Sequence, residues 1–140
     1  MKGKTGEKKE LLRLRFLRSE AQTVLSELED EGWQSLMVVW VAGAAYVDWE
    51  RLYAPLKAGE QLGLRREPEN PYDAMAIMVI DDNGEKLGYI PRAENCAAAQ
   101  KLDAGEDAIA VLLKVDRESC IHFLYIDVYT KGDDSEASSG

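Results

Sequence analysis

The sequence is short of the side chains that bind metals and form disulfides. Its 140 residues include two cysteines and one histidine. Cys96 and Cys120 lack the CxxC spacing of a zinc site, and together with His122 they are too few to build one. We therefore predict that both cysteines are small buried hydrophobic residues in a reducing compartment, and that the protein uses no metal and no cofactor.

Long apolar runs and enzyme motifs are also missing. The longest apolar stretch, residues 36–47, is too short to span a bilayer, and the Lys- and Glu-rich N-terminus has no continuous apolar segment of the kind found in signal peptides. The motifs GxxxxGK[ST], GxGxxG and GxSxG do not occur. We expect a cytoplasmic protein without catalytic residues, in which His122 lies in a strand on the same face as Cys120 and Leu124, as a core or interfacial residue.

An overall excess of basic charge, the usual mark of a nucleic-acid-binding protein, is absent. The formal net charge is -9, whereas binding to phosphates relies on Lys and Arg. Residues 1–18 nevertheless hold seven basic and two acidic side chains, and residues 19–32 hold five acidic and no basic ones. Any basic site must therefore be local, and the basic N-terminus is either a solvated helix face or an arm that contacts DNA.

One amphipathic helix is predicted at the N-terminus. Residues 7–31 contain neither Gly nor Pro, and Gly32 ends the segment. Apolar residues recur there at spacings of three and four, which places them on one stripe of a helix. The stripe consists of Leu14, Leu17, Ala21, Val24 and Leu28. We expect it to pack on the following domain, and a short coiled coil between two copies of the chain is the alternative.

Beyond residue 32 the sequence changes to short segments rich in Val, Ile and Tyr, separated by turn residues, which is typical of a small all-β core. Six strands are predicted, at residues 36–42, 61–66, 76–80, 87–90, 108–115 and 121–129. Residues 81–84 and 116–119 are predicted hairpin turns, residues 92–103 form one interposed helix before Gly105, and residues 46–53 form a shorter helix. Six strands are too few for a sandwich, so we predict a small, partly closed OB- or SH3-like barrel.

This pattern divides the chain into three parts. Residues 1–32 are the basic-to-acidic amphipathic helix, and residues 33–131 are the β-barrel domain. Residues 132–140, rich in Asp, Ser and Gly, are expected to be a disordered acidic tail.

Five segments within the barrel region match the pattern of one family. They are VAGAAY (41–46), LKAGE (56–60), LRREPENPYD (64–73), AI (76–77) and LGYIPR (87–92). Their order and spacing strongly resemble the HIRAN domain, from about residue 37 to about residue 129. HIRAN domains occur at the N-termini of helicase-like and Swi/Snf-type remodelling proteins and as free-standing proteins of bacteria and phages. A chain without an ATPase resembles the free-standing kind.

The resemblance implies a nucleic-acid-binding function. In helicase-associated members the domain is an OB-like barrel that captures the free 3′-hydroxyl end of single-stranded DNA. At the matching positions, Tyr72 would stack on the terminal nucleotide and Asp73 would accept a hydrogen bond from its 3′-hydroxyl. A carboxylate at this place would also repel a terminal phosphate, so Asp73 is expected to act as a filter.

Further matching positions complete the implied site. Tyr46 would supply another aromatic side chain near the terminal nucleotides, and Tyr89 would line the pocket. Arg92 would contact phosphates together with either Arg65 or Arg66, because strand alternation allows only one of these two to face the groove, and we take Arg66 as the candidate. A role in DNA repair or processing, beside a helicase or nuclease, would follow.

Two departures from the DNA-binding members lead to an alternative. Ala45 and Val47 stand where those members carry an arginine and a second tyrosine, so we expect weaker and more salt-sensitive DNA binding. The alternative is a protein-interaction module that docks a partner in the same groove or on the N-terminal helix. In that case the tyrosines only plug the mouth of the barrel, and Asn70 and Asp73 only cap a turn.

Overall fold

The computed structural model describes residues 2–132, so most of the predicted acidic tail (133–140) lies outside the described residues. Six strands and four α-helices follow one another along this part of the chain. In order they are α1 (Lys2–Arg18), α2 (Gln22–Asp30), β1 (Gln34–Trp40), α3 (Trp49–Leu52), β2 (Gln61–Arg66), β3 (Ile77–Ile80), β4 (Lys86–Tyr89), α4 (Cys96–Asp103), β5 (Asp107–Asp116) and β6 (Phe123–Lys131). No helix in this range is long and apolar enough to cross a membrane.

The strands form one antiparallel sheet in the order β1-β6-β5-β2-β3-β4. β2 changes partner at Gly63: the residues before it pair with β5, and the rest of the strand pairs with β3. Just beyond β1, Ala42 forms an antiparallel bridge with Tyr89 of β4. Because β1 and β4 are the two edges of the sheet, this bridge closes it into a small OB-like barrel, as predicted from the sequence.

The main core fills the barrel. Inward-facing residues of the strands are fully buried, including Val79, Leu112 and Ile126. Burying an aliphatic side chain of this size stabilises a fold by about 1.5–3 kcal/mol relative to exposing it. Tyr53, just after α3, is also fully buried and donates its hydroxyl hydrogen bond to the Leu87 carbonyl at 2.5 Å. The segment between β1 and β2 is thereby attached to the far edge of the sheet.

A second apolar layer holds the N-terminal helices on the outer face of the sheet. Its buried members are Ala21, Leu25 and Leu28 from the helices, and Val111, Leu113 and Tyr129 from β5 and β6. The predicted packing of the helical stripe against the barrel is therefore confirmed. α2 ends at Asp30, one residue before the predicted end at Glu31, and the Trp33 N–H after Gly32 bonds to the Leu28 carbonyl at 3.0 Å.

A buried ion pair also ties these helices to the sheet. Asp127 of β6 is fully buried, and its Oδ2 lies 3.0 Å from Arg18 Nε, in a geometry that is not aligned as a hydrogen bond. The Asp127 carboxylate also accepts a hydrogen bond from Ser35. Arg18 Nη2 donates to the Tyr129 hydroxyl at 2.7 Å and to Glu29 Oε1 at 3.0 Å. Burial raises the pKa of Asp127, against the lowering effect of Ser35 and Arg18.

The predicted helices at residues 7–31 and 46–53 are each interrupted. A 3₁₀ turn, Ser19–Ala21, separates α1 from α2. There the Ser19 hydroxyl donates to the Phe16 carbonyl at 2.8 Å, a local bond that competes with the regular helix. The second segment splits into a 3₁₀ turn, Ala44–Tyr46, and the short α3, so Tyr46 lies outside the helix.

The predictions for the cysteines and for the position of His122 are wrong. Both cysteines are exposed. α4 turns Ala98 and Ala99 toward the core and Cys96 toward solvent, and Cys120 lies in the loop before β6. β6 begins at Phe123, so strand alternation does not apply to His122. Its half-buried ring packs against Trp49 instead, with centroids 4.5 Å apart.

Candidate nucleic-acid interface

A pocket of about 270 Å³ opens beside the bridge that closes the barrel. Its lining includes Gly43, Asn70, Tyr72, Asp73, Tyr89 and Arg92. Four of the six predicted site residues thus meet around one pocket. They come from two segments, the corner between β2 and β3 and the end of β4 with the turn after it, which the antiparallel pairing of β3 with β4 brings together.

Asn70 shapes the corner that carries Tyr72 and Asp73. Its Oδ1 accepts the backbone N–H of Tyr72 at 2.9 Å and that of Asp73 at 3.1 Å. Its Nδ2 donates to Glu67 Oε1 at 3.1 Å. Side-chain bonds of this kind hold a turn without a regular backbone ladder. The orientation of the two predicted binding residues is therefore fixed locally by one asparagine.

Both carboxylate oxygens of Asp73 are held in place. Oδ1 accepts the Met75 N–H at 2.9 Å, and Oδ2 accepts a hydrogen bond from Asn95 Nδ2 at 2.8 Å. The Met75 bond, followed by the Asn95 bond and the charges of Arg92 and Arg66, lowers the pKa of Asp73. Because each carboxylate oxygen has two lone pairs, an ionised Asp73 can accept a further hydrogen bond from a ligand.

Tyr89 is oriented by an acidic neighbour. Its hydroxyl donates to Glu67 Oε1 at 2.8 Å, and Lys86 Nζ lies 5.4 Å from the centre of its ring. Burial and the nearby Glu67 raise the pKa of the Tyr89 phenol. The same Glu67 oxygen therefore holds Tyr89 and Asn70, which stand on opposite sides of the corner.

Two tyrosines stand at the rim with most of their surface in solvent. Tyr72 is 84% exposed and Tyr46 is 90% exposed. Tyr46 does not line the pocket, but its N–H bonds to the carbonyl of Gly43, which does. Gly43 has a φ of 84°, which favours glycine at the start of this turn. Aromatic faces that are this exposed are free to stack on a ligand.

The two predicted arginines have different environments. Arg92 is exposed, lines the pocket and makes no ion pair or side-chain hydrogen bond with any described residue. Arg66 does not line the pocket. Its Nε and Nη2 donate to Asp103 at 2.9 and 3.1 Å, and its Nη1 donates to the Ala76 carbonyl at 2.8 Å. The phosphate contact of Arg66 stays a prediction, and a phosphate would compete there with Asp103.

Sequence reasoning missed two residues that support the site. Glu67 lies inside the LRREPENPYD segment (64–73), and nothing in that segment indicates its bond to Tyr89, 22 positions away. Asn95 is almost fully buried and bonds to Asp73 across the same separation. No sequence signal indicated this bond, because the predicted helix at residues 92–103 included Asn95 and its burial follows only from the fold.

Among the described residues, no three His, Cys, Asp or Glu side chains are grouped closely enough to hold a metal ion. The pocket combines the rings of Tyr72 and Tyr89, the carboxylate of Asp73 and the guanidinium of Arg92, which has no partner among the described residues.

Comparison with known proteins identifies the family. Residues 35–128 match the HIRAN domain. The chain belongs to the HIRAN domain family. This confirms the resemblance inferred from the sequence motifs, and the matched range contains the closing bridge and the whole pocket.

Relatives of this HIRAN domain include one long protein and two solved structures. The Helicase-like transcription factor of Mus musculus is 46% identical over 44 residues, which make up 31% of this chain and 4% of that protein. The chain thus matches only a small part of that relative. A protein from Lactobacillus plantarum is 30% identical, with 71% of this chain and 95% of that one covered and a TM-score of 0.65. The HIRAN domain of human HLTF shares the fold at 23% identity, with coverage of 76% and 82% and a TM-score of 0.55.

Proposed function

We propose that this HIRAN domain binds the 3′-hydroxyl end of single-stranded DNA in the pocket beside the Ala42–Tyr89 bridge. One observation carries the proposal: an exposed tyrosine, an ionised carboxylate and an unpaired arginine, Tyr72, Asp73 and Arg92, line the same pocket. These are the positions at which the family resemblance implies contacts with a DNA end. The cellular setting we propose is DNA repair or processing, beside a helicase or nuclease.

Each of the three residues has a distinct role in this proposal. Tyr72 stacks on the terminal base, an interaction that contributes about 1–3 kcal/mol and tolerates any base. Asp73 accepts a hydrogen bond from the 3′-hydroxyl through a lone pair that Met75 and Asn95 leave unused. Arg92 binds the phosphate that precedes the terminal nucleoside.

Selectivity for a hydroxyl end follows from the charge of Asp73. A terminal phosphate would place a second negative group against this carboxylate, and Asn95 and Met75 prevent the side chain from turning away. With a net charge of -9, the protein gains little from general attraction to DNA. We therefore expect binding that is weak at physiological salt and depends on the end.

Fluorescence anisotropy at low salt tests this function. Two oligonucleotides are compared that differ only in a 3′-hydroxyl or a 3′-phosphate. D73N is the informative variant, because the remaining amide oxygen still accepts the Met75 N–H while the charge is lost. Wild type should prefer the hydroxyl end, and D73N should lose most of that preference.

D82N serves as the matched control, because Asp82 is an exposed carboxylate in the distant β3–β4 turn. It should keep the preference of the wild type. If wild-type protein binds both oligonucleotides equally, or binds neither, the proposed end capture is wrong.

The exposed face of α1 favours a second candidate function, protein interaction by self-association. Leu11, Leu12 and Phe16 are large apolar side chains that all lie largely in solvent. A cavity of about 500 Å³ beside them reaches Ser35 and Val38 of β1. Among the described residues, Gln34–Trp40 of β1 pair with β6 alone, so the other edge of this strand is open up to the Ala42–Tyr89 bridge.

A second copy of the chain is the partner that the charges favour. Residues 1–18 are strongly basic and residues 19–32 strongly acidic. An antiparallel arrangement of two copies would place each basic segment against the acidic segment of the other. Sedimentation analysis over a range of concentrations should show a dimer that the double variant L12S/F16S abolishes and the control T23S keeps. A wild-type protein that is monomeric at every concentration would rule out this candidate.

A further inference from the structure

A second pocket, of about 400 Å³, lies between α1, β1 and the turn that follows β4. Its lining includes Arg13 of α1, Trp40 and Tyr125 of the sheet, and Pro91, Ala93 and Glu94. The two pockets are neighbours, since Arg92 lines the first while Pro91 and Ala93 line the second. Consecutive Cα atoms are about 3.8 Å apart, so the backbone at Arg92 in the first pocket adjoins the backbone at Pro91 and Ala93 in the second.

Trp40 presents an aromatic face in this second pocket. Its side chain is 55% exposed, although it belongs to a strand of the barrel. Phe123 supports the indole from one side, with ring centroids 6.4 Å apart and the planes tilted by 32°. A large aromatic ring that is held by a neighbour but open to solvent is suited to stack on a base, because little conformational freedom is lost on binding.

Arg13 and Glu94 place opposite charges on the two sides of the pocket around Trp40. Arg13 is exposed, and among the side chains that the structure describes (residues 9 and 11–132) none forms an ion pair or hydrogen bond with it. Glu94, on the opposite wall, would repel a phosphate. The backbone of a bound strand is therefore directed toward α1, with its bases toward Trp40.

We propose that Trp40 and Arg13 form a second nucleotide subsite, which binds a nucleotide upstream of the 3′ end in the same DNA strand. This inference rests on the proposed function, since the first pocket must hold the 3′ end. Trp40 stacks on the upstream base, and Arg13 binds its phosphate. α1 thereby takes part in DNA binding, and the affinity of the protein depends on the length of the strand.

The test compares a deoxynucleoside 5′-monophosphate, which has no upstream nucleotide, with an octanucleotide, both with a free 3′-hydroxyl, by NMR titration of the full chain. Wild type should bind the octanucleotide more tightly. W40A should lose about five-fold or more of the octanucleotide affinity, the effect of one lost base stack. Its affinity for the mononucleotide and its preference for a 3′-hydroxyl over a 3′-phosphate should not change. R13Q should weaken the salt dependence of octanucleotide binding alone.

Two further variants control for indirect effects. W40F keeps an aromatic face and should recover most of the octanucleotide affinity, which a purely structural loss of the indole would not allow. D82N changes an exposed side chain outside the pocket and should behave as wild type.

The possible failures are distinguishable. If W40A binds the octanucleotide like wild type while the hydroxyl preference persists, the subsite is wrong and end capture stands. If wild type shows no preference for a 3′-hydroxyl, the proposed function fails and the subsite fails with it.

Discussion

Ala42 and Tyr89 exchange two backbone hydrogen bonds, from the Ala42 N–H to the Tyr89 carbonyl at 2.8 Å and from the Tyr89 N–H to the Ala42 carbonyl at 2.9 Å. This pair joins the two edge strands of the sheet, and both residues line the candidate pocket. Closure of the barrel therefore adds Ala42 and Gly43 to the lining of a pocket that β4 and the β2–β3 corner already form. Loss of the bridge should open the barrel and move Ala42 and Gly43 away from the pocket, while the pairing of β3 with β4 keeps Tyr89 beside the corner.

Gly88→Ala should break this bridge. A Cβ at Gly88 would collide with the Ala42 carbonyl oxygen and with the Val41 side chain, and its φ of 147° disfavours any other residue. Urea unfolding should show a large loss of stability, and DNA-end binding should disappear with it. Gly84→Ala is the matched control, because its φ of 79° is also positive but nothing lies within 4 Å of the added atom. That control should cost only about 1 kcal/mol. Equal losses in the two variants would contradict the role assigned to the bridge.

Tyr53→Phe should lower stability by about 1–2 kcal/mol at neutral pH, because it leaves the buried Leu87 carbonyl without its donor. Burial raises the pKa of Tyr53 to about 12, whereas an unfolded tyrosine ionises near 10. The phenol's contribution to stability is therefore complete below about pH 10 and is lost as the pH rises toward 12. The free energy of unfolding, measured with urea across this pH range, should fall less steeply for Y53F than for wild type. Y72F, which removes an exposed hydroxyl, should follow the wild type.

Asp127→Asn should change how stability responds to acid. Burial raises the pKa of Asp127, so between the ordinary aspartate value and the raised one the folded protein binds a proton that the unfolded chain releases. The contribution of this group is complete below that window and is lost as the pH rises through it. On acidification from pH 7, wild type should therefore gain stability relative to D127N, as followed by urea unfolding. D82N should show no such trend, and a constant gap between wild type and D127N would refute the expectation.

Arg92→Gln and Arg66→Gln should show which of the two predicted arginines binds phosphate. Each phosphate contact on a single strand contributes roughly -0.7 to the slope of log K against log salt. Arg92 has no partner among the described residues, so R92Q should reduce that slope. Arg66 is already bonded to Asp103 and to the Ala76 carbonyl, so R66Q should lower stability and leave the slope nearly unchanged. If R66Q reduces the slope and R92Q leaves it unchanged, Arg66 and not Arg92 is the residue that binds phosphate.

Local features of the fold followed from the sequence because they depend on a few adjacent residues. Strand β2 has the predicted bounds, 61–66, and α2 ends at Asp30, one residue before the predicted end at Glu31. The turn at residues 81–84 closes with a Gly84 N–H to Asp81 carbonyl bond of 3.0 Å. The corner with Asn70 is also local, since its amide bonds to groups no more than three positions away. Alternation failed for His122 and Cys120, because the chain leaves the sheet there before β6 begins.

The sequence by itself determined the family, the barrel class, the helical stripe that packs on the barrel and the segment that carries Tyr72 and Asp73. Only the tertiary structure decided which distant groups meet. It pairs Ala42 with Tyr89, Asn95 with Asp73 and Arg66 with Asp103, and it buries Asp127 against Arg18. The physical reason is that backbone propensities act over one turn or one strand. The partners of a buried polar group are instead set by how the closed sheet brings separate segments together.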